Sequence, residues 1–210
     1  AKAVHEAGAL FFVDAIQGLG VFPLELRRTP IDFLAADGHK WMLGPEGAGI
    51  FYVRRPHLDL LRPIGVGWNS VVQGADFSHV ELNIRPEAAR YEGGTQNMAG
   101  FLALGACLDL LAQFGLSARS SAIADRVLQI TDYACQCLSS VGAEIVSCRH
   151  VDRRSGIVAF RLPNQDHETA RRRCLSRGVA LSHRGGHLRI SPHAYVNEED
   201  VQRLVEAIEL

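Results

Sequence analysis

Lysine is nearly missing from this chain. Its 210 residues hold two lysines, Lys2 and Lys40, beside twenty arginines. A guanidinium pairs with anions but keeps its proton and forms no imine. A lysine amine can lose its proton and join a carbonyl carbon once burial or neighbouring charge lowers its pKa. Lys2 sits beside the first residue, whereas Lys40 lies in Asp37-Gly38-His39-Lys40-Trp41. Its scarcity marks Lys40 as the candidate for covalent attachment of a carbonyl compound. The plainer reading is chance in an arginine-rich composition.

Other absences narrow the classes of function. Lys plus Arg number 22 and Asp plus Glu 23, a net charge of −1. No excess of either sign favours nucleic acid or an anionic membrane as a partner. No apolar run reaches the length of a membrane-spanning helix, and no secretory leader pattern is present. The five cysteines, Cys107, Cys135, Cys137, Cys148 and Cys174, are odd in number and lack paired C-x-x-C spacing. That argues against a disulfide scaffold or zinc knuckle and makes a reducing cytoplasm the default. Cys135 and Cys137 diverge on a helix and read as packing residues. His183, His187 and His193 straddle glycines and a proline without acidic neighbours, so no metal is expected. Arg171, Arg172 and Arg173 read as the solvated face of a helix.

What is present is a chain with 47% hydrophobic residues, enough for a substantial core. Phe11-Phe12-Val13-Asp14 and the run Ile31 to Ala36 read as buried parallel strands, each delivering polar residues at its carboxyl end. Gly49 to Arg54 reads as a third strand. Ligands of open α/β sheets bind beyond such strand ends. Pro63 to Arg90 lacks periodicity and reads as a long loop. An apolar helix follows Glu92-Gly93-Gly94-Thr95 and runs through Leu111. From about Ser120 the pattern changes. Ile123, Val127, Ile130, Ala134 and Leu138 mark one face of an amphipathic helix. Strands follow near Glu144–Ser147, Gly156–Leu162, Val179–His183 and His187–Ser191, with a helix near Asp166–Arg177. A last helix begins at Asn197, a good N-cap with acidic residues in the first turn.

The polar residues fit the needs of an imine-forming pyridine aldehyde such as pyridoxal phosphate. Such a cofactor needs an amine, a carboxylate against the ring nitrogen and donors for its phosphate. Asp14 ends one strand and Lys40 follows another, 26 residues on. Gln17 is placed to bond the ring's phenolic oxygen, and His39 to donate to phosphate. Gly93-Gly94-Thr95 ahead of a helix offers backbone N–H groups and a hydroxyl for an anion. Each has a plainer reading: Asp14 as a turn cap, His39 as a packed histidine, Thr95 as a helix N-cap and Arg90 as a loop anchor.

Val13-Asp14-Ala15-Ile16-Gln17, Gly38-His39-Lys40 with Gly44-Pro45-Glu46-Gly47, and Arg90 to Asn97 together resemble class V aminotransferases. These are fold type I PLP-dependent enzymes, a group that includes cysteine desulfurases and isopenicillin N epimerase-like proteins. The resemblance implies a Schiff base at Lys40, Asp14 at the pyridinium nitrogen and Gln17 at the phenolic oxygen. It implies cofactor contacts from His39 and from Thr95, the latter across a homodimer interface. It matches Arg189 to the arginine that pairs with a substrate carboxylate, a role suited to a guanidinium fork; a structural ion pair is the alternative.

The implied fold is α/β: part of a large PLP-binding domain with a mainly parallel sheet over residues 1–118, and a small α+β domain over 119–210. The chain reads as the C-terminal portion of such an enzyme, since another phosphate loop and the ring-stacking aromatic are not found. Asp37 departs from the pattern, because relatives often carry a phosphate-binding Ser there; an Asp must be paired or turned away. Ser182 to His187 is short and holds no cysteine, against desulfuration of the usual kind. The expected activity is a PLP-dependent aminotransferase-type reaction on an amino acid. Epimerisation, desulfuration or another lyase reaction, and a non-catalytic fold relative, are the alternatives.

Overall fold

The computed structural model describes residues 1–78 and 81–209; His79 and Val80, within the expected Pro63–Arg90 loop, and Leu210 lie outside it. The chain divides into two compact units, Ala1–Ser120 and Ser121–Leu210.

In the first unit a short helix α1 (Lys2–Glu6) leads into a three-stranded sheet, β1 (Phe12–Asp14), β2 (Phe33–Asp37) and β3 (Gly49–Val53), in that order. β1 and β2 are parallel, with Asp14 opposite Ala35. β3 returns antiparallel, pairing Asp37 with Gly49 and Phe33 with Val53. The expected mainly parallel sheet is therefore mixed in this chain. A parallel neighbour needs a crossover of a dozen or more residues, whereas residues 38–48 form a compact return. β1 is also less buried than its composition predicts, with Phe12 56% exposed.

Ile31, Leu34, Ala36, Trp41, Met42, Ala48 and Val53 form the buried side of this unit, together with Leu104 and Leu111 of helix α2 (Met98–Gln113). The helix starts at Met98 because the Asn97 side chain accepts from Gly100 N, so Asn97 is the N-cap and Thr95 lies outside the helix. Residues 60–78 are irregular, as their lack of period predicts, apart from short 3-10 turns and a bridge between Val71 and Ile84.

The second unit has a four-stranded antiparallel sheet. Its order is β4 (Glu144–Ile145), β5 (Val158–Arg161), β7 (His187–Ile190), β6 (Ser182–Arg184). Helices α3 (Ala122–Ser140), α4 (His167–Ser176) and α5 (Glu198–Glu209) pack against it. The stripe Ile123, Val127, Ile130, Ala134 and Leu138 on α3 is buried, with Ser121 capping the helix by accepting from Ala124 N. Each buried Ile, Val or Leu of the stripe contributes about 1.5–3 kcal/mol. Asn197 and Asp200 cap α5 reciprocally, Asn197 Oδ1 accepting from Asp200 N at 2.9 Å and Asp200 Oδ2 from Asn197 N at 3.1 Å.

Arg173 corrects the reading of the triple arginine as a solvated face. Arg171 and Arg172 pair with Glu168 and hold its carboxyl down to about 2. Arg173 instead donates to the carbonyls of Ala207 and Ile208, at 2.9 and 2.6 Å, and Arg177 to that of Glu206. These are carbonyls that the last turn of α5 leaves unpaired.

Candidate active site

Asp14 and the Lys40 loop lie at the same edge of the sheet. Parallel strands run the same way, so the carboxyl ends of β1 and β2 open to one side. Asp14 is the last residue of β1; Lys40 follows the end of β2 by three residues. Ala15 N donates to Ala35 O at 2.8 Å and extends the pairing past Asp14. The chain then turns through Gln17 to Gly20. Gly20 has φ +101°, and a β-carbon on it would lie 2.7 Å from Trp41 O and from Met42 N. Only glycine permits that approach. It seats the turn after Asp14 directly against the residues that follow Lys40.

Leu43, three residues past Lys40, holds φ +58°, a backbone state rare for a bulky side chain. Leu43 N donates back to Lys40 O, and Cys107 Sγ donates to Leu43 O at 3.1 Å. The Lys40 amine is exposed and makes no ion pair or hydrogen bond with any described residue. It is therefore free for chemistry, whereas Lys2 lies against Glu6 at 3.8 Å.

A cavity of about 840 Å³ lies along one face of this sheet, with Phe12, Ala35 and Phe51 in its lining beside the strand-end residues. Asp14, Asp37, Tyr91, Gly93, Gly94 and Thr95 are among its lining residues; Gln17, His39 and Lys40 are not. Asp14 also caps its own turn, since Oδ1 accepts from Ile16 N at 3.1 Å. Asp37 is paired: His39 Nδ1 lies 3.1 Å from its Oδ1. The His39 ring beside it holds the Asp37 carboxyl below the usual range. Tyr91 packs edge-on against Phe51 with ring centres 5.4 Å apart, and its hydroxyl donates to Leu61 O. Burial pushes its phenol up.

The Gly93-Gly94-Thr95 strip is fixed from behind. A β-carbon on Gly67 would lie 1.9 Å from Gly93 O, so two backbones cross with no room between them. Arg90 anchors the same segment by donating to Arg85 O and Leu58 O at 2.7 and 3.1 Å. The strip lies before the N-cap Asn97, so the helix end expected directly behind Thr95 starts three residues later.

Arg189 belongs to the second unit, on β7. It lines a second cavity, about 530 Å³, with Ser182, Ser191, His193 and Tyr195 among the other lining residues. It has no carboxylate partner among the described residues; its Nε donates to Ser182 Oγ at 3.0 Å. Sequence reasoning missed Ser182 and Gly20. The first was within reach: the Gly185-Gly186 turn, with φ +56° and +79°, sets a two-residue hairpin in which residues 182 and 189 must face each other.

The residues present fit pyridoxal phosphate. They offer an amine with no described partner on the loop after β2, a carboxylate at the end of the adjacent strand β1, and an open Gly-Gly-Thr strip that lines one cavity with that carboxylate.

Residues 1–204 match the family model "Aminotransferase class-V". A probable cysteine desulfurase of Methanothermobacter thermautotrophicus is 30% identical over 227 residues, covering 99% of this chain and 54% of the relative. Isopenicillin N epimerase of Streptomyces clavuligerus is 30% identical over 213 residues, covering 96% of this chain and 52% of that protein. The apo structure of a cysteine desulfurase from Thermococcus onnurineus NA1 superposes with a TM-score of 0.87 at 22% identity, covering 99% of this chain and 54% of that one, a likeness of fold. The chain spans about half the length of the curated relatives it matches. With a family model matched along nearly all its length and the Asp14 and Lys40 segments brought to one sheet edge, the chain belongs to the class V aminotransferase family.

Proposed function

We propose that this chain carries the lysine-bearing and carboxylate-binding parts of a PLP-dependent enzyme acting on an amino acid. The observation that carries this reading is the Asp14 turn packed through Gly20 against the residues after Lys40. Bound there, pyridoxal phosphate supplies an aldehyde for amines and a ring that accepts electrons.

The chain's own residues divide the work. Lys40 holds the cofactor through its amine and then carries a proton to and from the substrate Cα. Asp14 keeps a proton on the ring nitrogen by charge pairing. Gln17 donates to the phenolic oxygen. The Gly93-Gly94-Thr95 strip offers backbone N–H groups and a hydroxyl to the phosphate, with Thr95 serving the neighbouring subunit of a homodimer. His39 contributes a cofactor contact from its free ring edge while Asp37 holds the other. The first unit thus serves the cofactor; in the second, Arg189 takes the substrate carboxylate.

Transamination is the proposed reaction, in the cytoplasm. Epimerisation is the second reading, favoured by the relative named isopenicillin N epimerase. Desulfuration is less favoured: the β6–β7 connection is a two-residue Gly185-Gly186 turn, with no cysteine-bearing loop.

The test is the visible spectrum of the full-length protein with PLP, followed by an amino-acid panel. Wild type gains a protein-specific band that shifts with a substrate, and Lys40→Ala loses both. Identical spectra for the two proteins would refute the assignment. Keto-acid formation marks transamination, loss of optical activity marks epimerisation, and sulfide release from cysteine marks a desulfurase.

A further inference from the structure

Arg189 sits mid-row on one face of the small sheet. Leu188 and Ile190 turn into the core, so Arg189 projects from the other face of β7. Across the ladder it faces Ala159 on β5 and Ser182 on β6. Alanine leaves room on one side. On the other, Ser182 Oγ accepts from Arg189 Nε at 3.0 Å. A guanidinium can grip a carboxylate in two ways: side-on, through Nε and one terminal nitrogen, or end-on, through both terminal nitrogens. With Nε committed, only the end-on edge remains. No described carboxylate occupies that edge, and Arg189 lines the second unit's cavity.

We propose that Ser182 is a positioning residue: it fixes the plane of the Arg189 guanidinium and selects end-on recognition of the substrate's carboxylate. This rests on the reading of Arg189 as the carboxylate site. The β-hairpin supplies the rigidity, because its two-residue turn locks residue 182 opposite 189. A loop serine would not hold an arginine to one plane as strictly.

The test uses the PLP-loaded full-length protein and two probes, L-alanine and ethylamine, the same amine without a carboxylate. Their dissociation constants are read from the change in cofactor absorbance, and the ratio of the two reports carboxylate recognition. Ser182→Ala is expected to reduce that ratio about ten-fold, the loss of one charge-assisted hydrogen bond, with ethylamine binding unchanged. Ser182→Thr, which keeps the hydroxyl, restores it. A second measurement needs no cofactor: proton exchange at Arg189 Nε, followed by NMR, quickens about ten-fold in Ser182→Ala. If Arg189→Ala abolishes the ratio while Ser182→Ala leaves both ratio and exchange unchanged, Ser182 has no positioning role and the carboxylate site stands. If Arg189→Ala leaves the ratio unchanged, the carboxylate site and its positioning fall together.

Discussion

Gly20 and Trp41 touch backbone to backbone, with a β-carbon on Gly20 placed 2.7 Å from Trp41 O. Through that contact the turn that follows Asp14 and the loop that carries Lys40 become one structural piece. Replacing Gly20 by Ala adds a methyl where backbone already stands and demands φ +101° of an L-residue. The expected cost is about 2–4 kcal/mol in chemical denaturation. PLP affinity is expected to fall as well, because Asp14 and Lys40 lose their register. Unchanged stability and unchanged PLP binding in Gly20→Ala would show the contact to be dispensable.

Asp32 should govern acid stability. It is 1% exposed and accepts from Phe11 N at 2.8 Å, with His5 Nε2 at 2.7 Å, His57 Nε2 at 2.8 Å and Arg54 Nη1 at 3.3 Å. Led by the Phe11 N–H, these partners outweigh the cost of burial and hold the carboxyl far below its usual range. A carboxylate depressed in the folded state stabilises the fold above its unfolded value of about 4. That contribution drains away as pH falls toward the folded value. Asp32→Asn should therefore cost about 2–4 kcal/mol at neutral pH. It should also lose stability less steeply than wild type between about pH 4 and pH 2. Urea titrations at several pH values read both effects; parallel curves for the two proteins would count against this account.

Arg173 should hold the end of α5. It supplies hydrogen bonds to Ala207 and Ile208 carbonyls that otherwise lack an intrahelical partner. Arg173→Ala is expected to cost about 1–2 kcal/mol and to speed amide exchange in the last turn of α5. Arg172→Ala, which removes only an exposed pair with Glu168, is expected to change stability by less than about 0.5 kcal/mol and serves as the control.

Local patterns were legible wherever a physical rule acts over a few residues. The buried stripe of α3 follows from a 3.6-residue period, and the Asn197–Asp200 cap from side chains three apart. Asp14 at a strand end was legible because a polar residue closing an apolar run must surface somewhere. What depends on distant partners was not. The direction of β3 is set by what its hydrogen bonds meet in space, and nothing in Gly49–Val53 encodes it. A hydroxyl after two glycines offers Thr95 as an alternative helix N-cap, but Asn97 competes for that place and takes it. Asp32 carries no signal of its own inside the run Ile31 to Ala36, because His5, Arg54 and His57 converge on it only in the folded chain.

The chain's two lysines make the central claim directly measurable. The full-length protein is loaded with PLP, reduced with borohydride, digested and mapped by mass spectrometry. The account predicts that the fixed cofactor lies on the peptide containing Lys40, with none on that of Lys2. Cofactor fixed elsewhere, or none fixed while PLP remains bound, would contradict it.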